Sequence, residues 1–266
     1  MPDTEYVFTS VEDTREFVRL QAIEREFDPA SRRRLYATGL TAGWHCLEVG
    51  PGAGSLMKWM GEQVGPSGHV VALDLSTKFL AGQYPAQVEI REGDIRTASL
   101  PEGSFDLIHA RYVLIHLPDY EVALDTMLAA LKPGGWMVLE EPDFSASRGI
   151  AGDAGRLVAM QHVNQGIHRM YEMRSMDHAF GRRLLPLLQA RGLCDLSMEY
   201  DAPVSAGGSG LAKMMAMSAQ QLRDKYLATG IVTEADLQGY CQMADDPQSR
   251  AVYYATVAVT GQKRRE

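Results

Sequence analysis

Residues 46–56 read CLEVGPGAGSL, and this stretch decides the fold class. A short apolar run ends at three glycines, Gly50, Gly52 and Gly54, and a helix-like pattern follows them. A strand that passes through a glycine-rich turn into a helix is typical of a nucleotide-binding βαβ unit, because glycine lets a ligand approach the backbone. A glycine turn can also serve only as a tight connection, so the interpretation depends on what surrounds it.

Further apolar runs alternate with helix-like patterns along the first half of the chain. This alternation predicts parallel strands joined by helices, with helices on both faces of the sheet. The predicted strands are residues 46–50, 69–75, 88–94, 105–110, 136–141, 194–204 and 252–261. The sequence LKPGG at 131–135 predicts a helix end followed by a turn. A helix is predicted over residues 10–40, with a break at Asp28-Pro29. A second helix is predicted over residues 182–193, with a kink at Pro186.

The pattern divides the chain into four parts. Residues 1–40 are predicted to form an N-terminal helical arm and residues 41–144 the α/β core. Residues 145–193 are predicted to be a helical insertion that acts as a lid. Residues 194–266 are predicted to contain the final strands of the core, interrupted by a Met-rich helical insertion at 208–246. The methionines would give an adaptable apolar wall, although ordinary core packing also explains them.

Composition narrows the classes of partner and location. The chain has 266 residues, a formal net charge of −8 and 45% hydrophobic residues. An acidic surface repels phosphate backbones, so nucleic acid is not expected as a partner. No apolar run approaches the roughly 20 residues of a membrane helix, and the polar, acidic start does not resemble a signal peptide. A cytoplasmic location, no membrane association and a monomer or homodimer are expected.

The cysteines do not predict a disulfide framework or a metal centre. Cys46, Cys194 and Cys241 are widely separated, odd in number and not arranged as CxxC. The histidines also lack the i, i+4 spacing of a metal pair on a helix. No metal is therefore expected.

Two acidic residues indicate which ligand the glycine turn would hold. Glu48 comes just before the glycines, where a carboxylate suits a cationic ligand with an ammonium and a sulfonium better than a pyrophosphate. Ser55 stands where a dinucleotide fingerprint has its last glycine. Asp74 closes the next predicted strand, 24 residues after Gly50, at the distance expected for an acid that accepts from ribose hydroxyls. A simple turn aspartate is the alternative for Asp74.

Two later segments agree with a nucleoside site. Gly93, Asp94 and Ile95 end the third predicted strand, where Asp94 could accept from an exocyclic amine and Ile95 could cover a purine. The order and spacing of all these segments carry more information than any one of them.

With LEVGPGAG, ALDLS, EGDI, FDLIHARYVLIHLPD and LKPGG, the chain resembles the class I S-adenosylmethionine-dependent methyltransferases over about residues 45–143. Within that class it is similar to the bacterial small-molecule branch with ubiquinone-biosynthesis-like members. The resemblance implies a Rossmann-like seven-stranded sheet, mostly parallel with an antiparallel last strand. It also implies S-adenosyl-L-methionine as the cofactor. Carried onto this chain, the cofactor-binding residues would be Gln21, Glu48, Gly50, Pro51, Gly52, Gly54, Asp74, Leu75, Gly93, Asp94, Ile95 and Arg111.

The expected reaction is methyl transfer to a small-molecule acceptor, with oxygen favoured over nitrogen or carbon. The segment HARYVLIHLPD lacks the Asn/Asp-Pro-Pro-Tyr/Phe loop typical of enzymes that methylate amino groups of bases. His116 is the candidate general base, because histidine titrates near neutrality, although it could equally pack under a helix. Asp143 could orient a hydroxyl or amine, or could simply begin a turn.

Two other functions stay open at this point. One is a scaffold that binds S-adenosylmethionine without using its methyl group and catalyses, for example, a cyclisation. The other is an NAD-linked oxidoreductase, against which Glu48 and Ser55 both argue.

Overall fold

The chain forms a seven-stranded sheet and a separate three-stranded sheet, as seen in a computed structural model that describes Phe8 and residues 13–265. The strands are β1 (His45–Val49), β2 (His69–Asp74), β3 (Val88–Glu92), β4 (Phe105–Arg111), β5 (Leu131–Asp143), β6 (Arg148–Ala151), β7 (Cys194–Asp201), β8 (Ser205–Ala206), β9 (Arg250–Val252) and β10 (Ala255–Gln262). The helices are α1 (Asp13–Ala37), α2 (Ser55–Val64), α3 (Tyr120–Ala130), α4 (Ala154–Glu172), α5 (Leu184–Ala190), α6 (Gly210–Gln221), α7 (Arg223–Leu227) and α8 (Glu234–Asp245).

The larger sheet has the order β3-β2-β1-β4-β5-β10-β7. Neighbouring strands from β3 to β5 pair in parallel, and the last strand, β10, is antiparallel. This confirms the predicted fold class. Because β1 connects outward to β2 on one side and β4 lies on its other side, the direction of winding reverses between β1 and β4. In such sheets, ligands bind outside the carboxyl ends of the strands at this reversal.

An apolar cluster on one face of the sheet holds β1, β4 and β5 against α2. Cys46, Leu107 and Val138 contribute from the strands, and Met57 and Met60 from the helix. Each of these side chains is buried, and the three-residue spacing of the methionines puts them on one helix face. Burial also raises the pKa of the Cys46 thiol, so the neutral thiol behaves as one more apolar group in this cluster.

Helix α1 runs without interruption through Pro29, so the predicted break at Asp28-Pro29 is wrong. Proline inside a helix removes one hydrogen bond and costs about 3 kcal/mol. The turns around it are fixed by tertiary contacts: Asp28 and Ser31 are buried and both accept from the Arg111 guanidinium, and Leu35 is buried one turn later. These contacts offset the intrinsic cost of the proline.

The sequence LKPGG belongs to strand β5 rather than to a turn, which corrects a second prediction. Leu131 pairs with Phe105, and the register then shifts so that Trp136 pairs with Leu107. Around this irregularity, Gly134 N–H donates to Lys263 O and Lys263 N–H donates to Gly135 O. The end of the chain therefore supplies backbone partners that keep the segment extended.

Two further local predictions are corrected by the structure. Helix α5 begins at Leu184, so Pro186 lies in its first turn, where a missing N–H costs no helical bond and no kink results. The predicted strand 252–261 is two strands, β9 and β10, separated by Tyr253 and Tyr254.

The described residues divide into two compact units. The core unit consists of Phe27–Glu141, Arg183–Glu199 and Ala258 onward; the insertion unit consists of the described part of Met1–Glu26 with Pro142–Arg182 and Tyr200–Val257. The insertion unit contains the second sheet, β6-β9-β8, together with α4, α6, α7 and α8. Strands β6 and β8 are not predicted from the sequence, because runs of 4 and 2 residues are too short for a visible periodicity.

Candidate functional site

The glycine loop between β1 and α2 has three left-handed residues. The φ angles of Gly50, Gly52 and Gly54 are 68°, 64° and 96°, a region that other residues rarely adopt. A Cβ on Gly50 would lie 2.5 Å from Cγ2 of Val113, and one on Gly54 would lie 2.8 Å from Cε of Met57. At these two positions the chain's own backbone angle and neighbours require glycine, whether or not a ligand is bound.

Asp74 and Leu75 end strand β2 beside this loop. Ser76 N–H donates to Asp74 Oδ1 at 3.1 Å, and the N–H groups of Leu75 and Gly52 also point at the carboxylate. Burial raises the pKa of Asp74, and these N–H groups partly offset the rise. Leu75 is 56% exposed although it is large and apolar. The structure thus places Asp74, the residue predicted to bind ribose, in contact with the glycine loop, and the exposed apolar side chain of Leu75 lies next to Asp74 in the chain.

Gly93, Asp94 and Ile95 follow strand β3 at the same edge. Gly93 N–H donates to Asp74 O at 2.8 Å, which joins this segment to the end of β2. Ile95 is buried. The Asp94 carboxylate receives four hydrogen bonds from Arg96: one from the backbone N–H at 2.9 Å and three from the guanidinium, which together hold the pKa of Asp94 below its usual value. Arg96 was not identified from the sequence.

Glu48 takes part in a row of buried charges that we call the buried ladder, composed of Glu48, His109, Glu140 and Arg34. Glu48 and His109 are direct partners in the β1–β4 register, so their side chains lie on the same face. His109 donates from Nδ1 to Glu48 Oε2 at 2.7 Å and from Nε2 to Glu140 Oε1 at 3.2 Å. Arg34 donates to Glu140 Oε2 at 2.8 Å. The ladder lies on the same face as the apolar cluster, toward the carboxyl ends of the strands.

The pKa values of the ladder follow from this pairing. Burial alone would lower the pKa of His109, but the carboxylates of Glu48 and Glu140 outweigh it and raise the pKa to about 9. Burial alone would raise the pKa of Glu140, but His109, Arg111 and Arg34 lower it to about 2. At neutral pH the imidazole is therefore a cation between two carboxylates. His109, Glu140 and Arg34 were not identified from the sequence. His109 and Arg111, two residues apart in the buried strand β4, were a signal that could have indicated buried charges there.

Arg111, at the end of β4, directs its side chain to helix α1. Its guanidinium donates to Ser31 Oγ at 2.9 Å and to Asp28 Oδ1 at 3.0 Å. Burial lowers the pKa of Arg111, but Glu140 and Asp28 raise it by more. The Arg111 side chain thus fastens α1 to the sheet.

The segment Tyr112–His116, which we call the post-β4 segment, contains the predicted base. Tyr112 has φ 58°, and residues Leu114–His116 form a 3₁₀ helix. Buried Glu141 accepts from the backbone N–H groups of Val113 and Leu114 through Oε1, at 3.0 and 2.7 Å, and from Ile115 through Oε2 at 3.2 Å. Burial raises the pKa of Glu141 to about 8, against the effect of the three N–H donors.

The remaining predicted site residues, Asp143 and Gln21, belong to the insertion unit. Asp143 is fully buried; Oδ1 accepts from Ser145 N–H at 2.9 Å and from the Ser145 hydroxyl at 2.5 Å, and Oδ2 accepts from the Tyr200 hydroxyl at 2.8 Å. Gln21 lies in the part of α1 before Phe27. All the other predicted site residues lie in the core unit.

Within the part of the chain that the structure describes, no helix is long and apolar enough to span a membrane, and no group of three or more acidic, histidine or cysteine side chains could hold a metal ion.

Among solved structures, the fold is similar to Haemonchus contortus phosphoethanolamine N-methyltransferase 2 in complex with phosphomonomethylethanolamine and S-adenosylhomocysteine. That likeness has a TM-score of 0.52 at 16% identity and covers 85% of this chain and 50% of the other. The cyclase SpnF is also similar, with a TM-score of 0.54 at 17% identity, over 92% of this chain and 82% of the other. At these identities the likeness shows the fold alone.

Curated relatives include two methyltransferases of Strobilurus tenacellus. Str3 is 29% identical over 146 residues, which are 54% of this chain and 50% of str3. Str2 is 27% identical over 223 residues, which are 80% of this chain and 78% of str2. The chain thus spans about half the length of str3. The family model described as "Methyltransferase domain" matches residues 15–189, well over half of the chain. The chain therefore belongs to the methyltransferase domain family.

Proposed function

We propose that this protein binds S-adenosylmethionine in the core unit and transfers its methyl group to a small molecule. The observation that carries the proposal is the meeting of Asp74 with the glycine loop, in a chain that belongs to the methyltransferase domain family. A carboxylate at the end of β2 is suited to accept from both ribose hydroxyls, as the acid in this position does in related nucleotide sites.

The chemistry of the surrounding side chains fits this cofactor. The ribose would be held by Asp74, and the adenine would lie against the exposed apolar side chain of Leu75 and against Ile95. Asp94 would accept from the adenine amine, and the glycine loop with Glu48 would receive the methionine end. The amino group and sulfonium of that end are cationic, which suits an acidic strand end.

Bound S-adenosylmethionine supplies an electrophilic methyl group, which an acceptor takes in an in-line displacement. The chain's own part is to orient the two reactants and exclude water, which can lower the barrier substantially. Where the acceptor is a hydroxyl, its proton must leave as the new bond forms. We assign His116, at the end of the 3₁₀ helix, to receive that proton. Oxygen is the first acceptor to test, with nitrogen and carbon as outcomes of the same assay.

The cofactor assignment is tested by titration calorimetry with S-adenosylmethionine and S-adenosylhomocysteine. Asp74→Ala should weaken binding of both by about 1–3 kcal/mol, the cost of leaving ribose hydroxyls without their acceptor. Glu92→Ala is the matched control, because Glu92 is a neighbouring exposed carboxylate that bonds Thr77 and has no proposed ligand. Equal affinity of Asp74→Ala and wild type, or no binding by the wild type, would overturn the assignment.

The reaction is tested by incubating the protein with labelled cofactor and a panel of phenols, amines and carbon acids. Release of S-adenosylhomocysteine together with a labelled product supports methyl transfer. Binding without release, with conversion of an acceptor, would instead support the scaffold function; the likeness to a cyclase shows that one fold serves different reactions. Efficient labelling of a folded protein or nucleic acid would overturn the small-molecule acceptor.

A further inference from the structure

Glu141 is a buried carboxylate to which the proposed reaction gives no role. It lies near the end of β5 and accepts from three backbone N–H groups of the post-β4 segment, those of Val113, Leu114 and Ile115. The first N–H groups of a helix have no partner within the helix. Glu141, Leu114 and Ile115 are all buried, so Glu141 supplies the acceptor from the protein interior. One side chain thus fixes the backbone of three consecutive residues.

The Val113 side chain of the post-β4 segment lies against the glycine loop. Cγ2 of Val113 lies only 2.5 Å from the position that a Cβ would take on Gly50. Val113 therefore fills the space that glycine leaves open, and Gly50 keeps its φ of 68° against it. A change in the position of Val113 would let the start of the glycine loop move.

The segment is also held in a conformation that it would not adopt alone. Tyr112 has φ 58°, which costs a non-glycine residue on the order of 1 kcal/mol or more. Its N–H donates to Glu140 O at 2.8 Å, and its ring packs edge-to-face on Phe27 at 5.4 Å. Glu141 accepts from the three N–H groups that follow Tyr112. Such backbone strain persists only where the surroundings fix it from more than one side.

We infer that Glu141 is a positioning residue for the glycine loop, because its three hydrogen bonds hold Val113 against Gly50. The inference rests on the proposed function only for the identity of what the loop binds. Glu141 itself contacts no ligand in this scheme; it acts through Val113. Its loss would weaken cofactor binding without removing any group that touches the cofactor.

Glu141→Gln is the informative variant, because it keeps the size and burial of the side chain. The amide has one acceptor oxygen, and its nitrogen is a donor, so at least one of the three N–H groups loses its acceptor. An N–H group that loses its acceptor lowers stability, so thermal melting is measured first, and cofactor affinity is compared at a temperature where both proteins are folded.

Titration calorimetry with S-adenosylhomocysteine tests the inference on wild type, Glu141→Gln, Val113→Ala and the double variant. We expect about tenfold weaker binding by Glu141→Gln, and a double variant within about twofold of the weaker single one, because both changes release the same contact. Asp106→Asn is the matched control: Asp106 also accepts from a backbone N–H, that of His45 at 2.8 Å, but at the start of β4. It should bind as wild type does.

Amide hydrogen exchange supplies a readout that needs no ligand. In Glu141→Gln, the amides of residues 113–115 should exchange faster, and so should those of Gly50 and Gly54, which are bonded to Leu73 O and Pro51 O. Unchanged amide exchange in the glycine loop would overturn the inference, whether or not the wild type binds the cofactor. Absence of cofactor binding by the wild type would count only against the proposed function. Wild-type affinity in Glu141→Gln, or fully multiplicative effects in the double variant, would also overturn it.

Discussion

Replacement of His109 by glutamine should change how stability depends on pH. His109 is fully buried between Glu48 and Glu140, and the two carboxylates raise its pKa from 6.5 to about 9. A folded-state pKa above the unfolded value means that the proton stabilises the fold. That stabilisation is complete below pH 6.5 and is lost as the pH rises through about 9.

The size of the effect follows from the two pKa values. The difference between 6.5 and about 9 corresponds to about 3 kcal/mol of unfolding free energy. In His109→Gln the amide can still donate to one carboxylate, but the cation is gone. The unfolding free energy of the wild type should therefore exceed that of the variant by about 3 kcal/mol below pH 6.5. The gap should shrink above pH 9, where the wild-type imidazole is neutral as well.

Urea denaturation across this pH range measures the gap directly. Glu141, whose pKa is raised to about 8, also loses stabilisation as the pH rises, but it does so in both proteins and cancels in the difference. His69→Gln is the control, because it removes a histidine–carboxylate bond of 3.0 Å on the surface of the same unit. Exposed pairs contribute little, so the unfolding free energy of this variant should stay within about 1 kcal/mol of the wild type. A wild-type to His109→Gln gap that stays constant from pH 6.5 to above 9 would refute the reasoning.

Two further predictions concern the loop and the candidate base. Gly54→Ala should destabilise the fold by about 1–3 kcal/mol, because an alanine there meets Met57 and Leu80 in addition to the backbone penalty. Gly39→Ala, at φ 89° with nothing within 4 Å, should cost only the backbone part, about 1 kcal/mol, so equal effects of the two variants on the free energy of unfolding would contradict the packing argument. His116→Ala should lower turnover of an identified hydroxyl acceptor by about 10²-fold or more while cofactor affinity stays the same. Full turnover in that variant would assign His116 to packing instead.

Much of the core unit could be predicted from the sequence because its signals are local. Strands β1 to β4 are short apolar runs that end in glycine, aspartate or arginine, and the structure has them within two residues of the predicted bounds. The meeting of Asp74 with the glycine loop followed from the rule that parallel strands end at the same edge. The site residues themselves stay predictions until a ligand is tested.

The buried ladder could not be predicted, because it depends on register between distant strands. Glu48 and His109 are 61 residues apart, and His109 and Glu140 are 31 apart. A shift of one residue in either pairing would turn the side chains to the other face. Pro29 illustrates the same limit: its local signal predicts a break, and only the contacts of Asp28 and Ser31 with Arg111 explain why the helix continues.

Strand β3 is an edge strand of the larger sheet, so one side of its backbone has no partner strand among the described residues. Such an edge could pair with a strand of another molecule and seed aggregation. Glu89 and Arg91 form an ion pair on one face of β3, and Glu89 also bonds His69 of the neighbouring strand β2. A strand that added to β3 would have to desolvate part of this charged face, which opposes edge-to-edge association.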